Sequence, residues 1–223
     1  MLPFNLKIIQ KRNYKNLRMS FRDSSTLLIS APKHFSKKKC LEFLEQNQNW
    51  IEEQQQLWNQ RLNLKLPNHQ IFLFGEWQDI QDNAIQTHWE ECIHSNPTPK
   101  TKKALIQFFQ NKLDSYLQVQ IPFFSTQMKL FPNKILYGKS YKQLACCYHK
   151  TKNLRFSLRL ALMPRWLINS IIIHELAHIR YPNHQKDFWN LINTYDQNPQ
   201  KIHIWLREYQ DLLLLLHHKI FKA

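Results

Sequence analysis

Glycine is nearly absent from this chain: 2 residues in 223, Gly75 and Gly138. Phosphate-cradling loops of the P-loop and Rossmann kinds need several glycines within a few positions, so both are excluded. Cysteine is sparse as well. Cys40, Cys92, Cys146 and Cys147 show no framework spacing and two of them are adjacent, which argues against a disulfide scaffold. Long apolar runs are missing. The longest leucine stretch, Leu212 to Leu216, is far shorter than the roughly 20 apolar residues that a membrane span needs. The opening MLPFNLKIIQKR has neither a long apolar core nor a small-residue cleavage site, so it does not read as a signal peptide. A reduced, cytoplasmic, soluble protein without membrane partners is the expectation.

Acidic residues are also few, 16 against 31 Lys and Arg, for a formal charge of +15. Such a chain is attracted to polyanions, nucleic acid among them. Lys, Asn, Gln and Ile are frequent everywhere, however, which fits a composition bias at least as well as a designed surface. Apolar content of 43% is enough for a core, and aromatics at 13% supply much of it.

The pattern along the chain predicts mixed structure. Phe4 to Ile9, Leu17 to Phe21 and Thr26 to Ser30 read as strands, with a turn at Asp23-Ser24-Ser25. Ser36 is a good N-cap for a long helix to about Leu62, with Leu44, Ile51 and Trp58 on one stripe. Ile71 to Phe74 and Trp77 to Ile80 flank Gly75-Glu76 as a hairpin. The polar stretch Gln81 to Pro99 reads as a linker or variable loop. A helix from about Lys102 to Val119 follows, stopped by Pro122, then strands at Ile135 to Tyr137 and Leu154 to Leu162. Pro164 suits the first turn of the next helix, which Pro182-Asn183 breaks. Two more helices are expected, from about Gln185 to Tyr195 and from about Lys201 to His217.

That helix before Pro182 contains the chemistry. IIIHELAHIRYPNH, Ile171 to His184, sets His174, Glu175 and His178 among apolar neighbours. Buried polar groups cost free energy unless they are paired or bind something. HELAH is an H-E-x-x-H motif: His174 and His178, four apart, aim from one helical face at one ion, and zinc suits two neutral imidazoles with an open position. Glu175 lies beside the metal and takes the proton of its water. His184 follows His178 at the offset of the third metzincin ligand, although Tyr181 stands where metzincins carry Gly. Chance histidines are the competing reading, since the chain has 11.

HELAHIRYPNHQKDFW resembles the YgjP-like family of metal-dependent hydrolases, distant relatives of SprT-like proteases. The family shows a strand, a Pro, H-E-L-x-H, an Asn-His stretch and a Phe-Trp pair. Here these are NLRFSLRLALMP, His174 to His178, Pro182-Asn183-His184 and Phe188-Trp189. NWIEEQQQLW and FLFG resemble its N-terminal half more weakly. The resemblance implies His174, His178 and His184 as ligands of one Zn²⁺ and Glu175 as the catalytic acid and base. The family usually carries Trp-Gly-Ser-Cys shortly before the strand, and here the equivalent place reads Ala145-Cys146-Cys147-Tyr148.

The expected architecture is α+β: a small N-terminal strand-plus-helix region, residues 1–98, then a minimal zincin-like metallopeptidase domain, residues 99–223, with its HExxH active-site helix. The expected activity is zinc-dependent hydrolysis of a peptide or protein substrate. Two alternatives stand beside it: a nucleic-acid-associated basic protein, as SprT-like protease or binding module, and a metal-bound pseudoenzyme lacking the Trp-Gly. Tyr137, Tyr141, Tyr148 and Tyr181 are candidate electrophiles by residue type alone. Cys146, Cys147 and His149 read as ordinary residues and not a second metal cluster, because neighbours on an extended chain face opposite ways. Arg155 and Arg159 are expected on one face of the strand before the active helix, toward solvent. Phe188 and Trp189 are expected to pack the His184 segment against the core.

Overall fold

A computed structural model describes residues 4–23, 26–62, 64–196 and 201–222. The expected turn at Ser24-Ser25 lies outside them. The chain forms two compact units, residues 1–65 and 66–223.

In the first unit, β1 (Asn5–Lys11), β2 (Arg18–Asp23) and β3 (Thr26–Pro32) form a sheet of order β1-β3-β2. The central strand pairs parallel with β1 and antiparallel with β2. Its alternation sends Leu27, Ile29 and Ala31 into a core shared with Cys40, Leu44 and Ile51. Those last three come from α1 (Lys37–Glu45) and α2 (Gln48–Leu62). Ser36 caps α1, accepting from the Lys39 amide at 3.2 Å. The single helix expected here is two. Asn47 donates its side-chain amide to the Phe43 carbonyl at 2.7 Å, a local bond that competes with helix continuation.

The second unit begins with the hairpin β4 (Gln70–Leu73) and β5 (Glu76–Asp79). Its two-residue turn has φ of 54° at Phe74 and 86° at Gly75, as the hairpin twist requires. The Phe74 amide donates to Ala161 at 2.8 Å. A Cβ on Gly75 would meet Pro164 at 2.9 Å, so only glycine lets the hairpin sit against the start of the HELAH helix. The stretch expected as a linker holds a helix, α3 (Asn83–His94). Asp82 caps it through the amides of Ala84 and Ile85. Trp89 and Cys92 are buried, and Ile85 is half-buried at the same helical spacing. The polar residues hid an amphipathic face. The division expected at 98/99 therefore falls inside the second unit, because the hairpin and α3 bury Phe72, Trp89 and Cys92 in that unit's core.

The main support is α4 (Pro99–Met128), whose Leu105, Phe109, Leu113 and Leu117 are buried. The helix was expected to stop at Pro122 but runs through it. Proline inside a helix costs about 3 kcal/mol. The buried stripe continues with Ile121, Phe124 and Met128, and that packing offsets the cost. A sheet of order β6-β8-β7 follows, from β6 (Ile135–Gly138), β7 (Ala145–Tyr148) and β8 (Asn153–Ser157). The strand expected to reach Leu162 ends at Ser157, and Leu158–Leu162 is a buried 3₁₀ turn. A continuous apolar run does not distinguish these two. Arg159 consequently leaves the strand face and is buried, its guanidinium donating to the Tyr141 carbonyl.

The HELAH helix is α5 (Arg165–Ala177), with Pro164 at its N-cap position and His178 at its C-cap. It ends before Pro182, sooner than expected. Then come α6 (Lys186–Tyr195), α7 (Lys201–Glu208) and α8 (Gln210–Leu216), closing in a π turn over His217–Phe221. The last expected helix is thus broken at Tyr209, whose ring stacks on Trp205 at 4.5 Å and lies 6.0 Å from Phe72.

Candidate metal centre

The end of α5 is apolar on nearly all sides. Leu167, Ile168, Ile172, Leu176 and Ala177 are fully buried, so the register of the helix is fixed by packing. That register turns His174 and His178 toward one point. Their Nε2 atoms lie 3.2 Å apart, and the Nε2 of His184, carried back by the turn before α6, lies 3.1 Å from that of His174. Three nitrogens, each about 2.0–2.1 Å from a tetrahedral zinc, would stand about 3.3 Å from one another. Among the described residues these three histidines form the group able to hold a metal ion.

Backbone carbonyls set the ring orientations. His178 Nδ1 donates to the Tyr181 carbonyl at 2.9 Å, which leaves its Nε2 with a lone pair for a metal. His149 Nδ1 donates to the His178 carbonyl at 2.9 Å, satisfying a group that the helix end leaves unpaired. Phe188 is fully buried and its ring lies 4.7 to 5.0 Å from all three imidazoles. It is the floor of the triad. Trp189, 41% exposed, stands 5.9 Å from His184 at the rim. The pair therefore divides its work: one ring packs as expected, the other faces outward.

Burial favours the neutral form of two of the three rings. Burial first, and then its two histidine neighbours, lower the His174 pKa to about 4. Burial likewise lowers that of His178. Glu175 is 7% exposed, and burial raises its carboxyl to about 7 against one opposing hydrogen bond from the Cys147 backbone. A cation at the triad would favour the carboxylate and pull that value back down.

Other expected residues fall elsewhere. Cys146, Cys147 and His149 do not converge on a second ion. Burial, followed by the nearby Glu175, raises the Cys147 thiol to about 11, so it stays protonated. Tyr137 donates to Asp114 and the Tyr141 ring lies under Arg159, so both are engaged with other partners. Tyr148 is exposed beside Arg155, and Tyr181 enters through its carbonyl. Sequence reading missed the backbone partners: the Cys147 amide, the Tyr181 carbonyl and the His178 carbonyl. Every residue has such groups, so no residue type announces them.

A histidine triad able to hold a metal ion thus stands at the end of a buried helix with a buried carboxylate beside it, the arrangement of the H-E-x-x-H metallopeptidase class. The chain belongs to the YgjP-like family, whose metallopeptidase-domain model matches residues 15–209. No curated protein and no solved structure matches it. No helix among the described residues is long and apolar enough to cross a membrane.

Proposed function

We propose that the protein is a zinc-dependent peptidase in which His174, His178 and His184 hold the metal and Glu175 is the general base. The observation that carries this reading is the convergence of three Nε2 atoms at 3.1 and 3.2 Å beside a buried carboxylate. Held by these three histidines, a zinc ion would lower the pKa of a bound water to about 7 and would polarise a carbonyl. Glu175 then has two tasks. It accepts a proton from the attacking water and returns that proton to the departing amine. The Cys147 amide holds its carboxylate in place, and the apolar floor at Phe188 excludes bulk water from the underside.

Zinc is favoured over harder cations because all three donors are imidazole nitrogens, whereas magnesium and calcium take oxygen ligands. Membership of a family described by a metallopeptidase domain supports a peptide substrate. The test is hydrolysis of a fluorogenic peptide library by the purified chain. Turnover should disappear with a chelator and return with zinc. Glu175→Gln should lower it by about 10²–10⁴-fold while the metal stays bound. Turnover indifferent to chelation would contradict the reading.

A further inference from the structure

A second site of defined chemistry lies in the same unit, built from residues the metal centre does not use. The end of α3, the first turn of α4 and the π turn enclose a cavity of about 190 Å³. Its walls are Ser95, Asn96, Pro97, Lys102, His218, Lys219 and Lys222, and no acidic side chain is among them. Two of the lysines are half-buried and held in place. Lys219 donates to the carbonyls of Cys92 and Ile93 at 3.0 and 3.1 Å. Lys102 donates to the Lys222 carbonyl at 3.2 Å.

These bonds fix both ammoniums without neutralising them. An ammonium carries three protons, of which Lys219 commits two and Lys102 one. Neither is in an ion pair with a carboxylate among the described residues. Lys102 stands at the start of α4, where the Glu91 carboxylate already accepts from the Thr98 amide and the Thr101 hydroxyl, but that carboxylate does not line the cavity. Lysines gathered in one cavity repel one another unless an anion joins them. The pinned side chains have spent most of their rotamer freedom in advance, which lowers the cost of binding.

We propose that this cavity binds a phosphoryl oxyanion, either free or carried on a nucleic-acid backbone. The remaining protons of Lys102 and Lys219 supply its donors. The site is separate from the proposed peptidase chemistry and does not depend on a metal.

The test is a titration of the full chain with inorganic phosphate at low salt by calorimetry, repeated with a fluorescent single-stranded oligonucleotide. The Lys102→Gln/Lys219→Gln variant is compared with Lys37→Gln/Lys38→Gln, which removes the same charge from exposed positions on α1. Lys102→Gln alone guards against unfolding, because Lys219 also caps α3; melting curves confirm the fold of each. We expect saturable phosphate binding, weakened at least tenfold in both Lys102 variants and unchanged in the α1 variant. If oligonucleotide binding falls in parallel and phosphate competes with it, the group is carried on nucleic acid. If phosphate alone shows the dependence, the natural ligand is a small phosphorylated molecule. Equal weakening in the two double variants, or phosphate binding that does not saturate, would overturn the proposal and return the charge to a diffuse role.

Discussion

Glu175 is buried in an apolar helix, yet as the proposed base it has to carry a charge. The structure meets this with one backbone donor, Cys147, and with a place for a cation at the neighbouring histidines. His149 shows how far the arrangement extends beyond the motif. Its ring joins the β7–β8 turn to the carbonyl of a proposed ligand, so it acts as a positioning residue. Loss of such a partner typically costs 10–100-fold in metal affinity. His149→Ala should therefore bind zinc about tenfold more weakly, as measured by competition with a chromogenic chelator. Unchanged affinity would mean that the turn holds itself. His217 offers a test independent of the metal. It is 9% exposed, its Nδ1 has no hydrogen-bond partner, and Tyr141, Arg159, His218 and Lys222 surround it. Burial, with Arg159 next, lowers its pKa from 6.5 to about 4. The unfolded chain takes up this proton first, so the contribution is complete above about pH 6.5 and is lost as pH falls toward 4. The loss is up to about 3 kcal/mol. His217→Phe should flatten that part of the stability curve relative to wild type in urea titrations. Parallel curves would show that the imidazole stays accessible to protons in the fold.

Among the elements, the β4–β5 hairpin has the clearest structural duty. Its Gly75 lies against Pro164, one residue before α5 begins. Gly75→Ala adds a strained left-handed alanine to a contact too close for a Cβ. The expected loss is about 2–5 kcal/mol, from about 1–2 for the backbone and about 1–3 for overpacking. Thermal unfolding measures it, and a change below about 0.5 kcal/mol would show that hairpin and helix separate without cost. The hairpin itself was legible from its paired apolar runs and Gly75. So were α5 and α6, because HELAH and its flanks carry strong periodicity and a recognised spacing. The helix α3, the continuation of α4 past Pro122 and the turn at Leu158–Leu162 were not legible, each for a physical reason. In α3 the buried face is three residues wide, Ile85, Trp89 and Cys92, diluted by polar neighbours. In α4 tertiary packing outweighs the local preference of Pro122. At Leu158–Leu162 every side chain is buried, and a run without alternation reads equally as strand or turn.

At the scale of the whole chain, charge and chemistry separate. The proposed metal centre is built from three histidines and a carboxylate, and the surplus of 15 positive charges is not needed for it. Its site residues were legible because ligand geometry imposes spacing on the sequence. The lysine cavity was not, because Lys102 and Lys219 are 117 positions apart and meet only in the folded unit. The missing Trp-Gly of the family pattern falls on β7, where Cys147 still offers its amide to Glu175. A backbone donor survives a change of side chain, so the account predicts an active enzyme. Its central claim is that a metal satisfies the buried polar residues of α5. The most direct measurement is elemental analysis of the purified, untagged chain beside His178→Ala. The account predicts about one zinc per wild-type chain and none in the variant. Wild-type protein that stays folded and metal-free after zinc is supplied would contradict it.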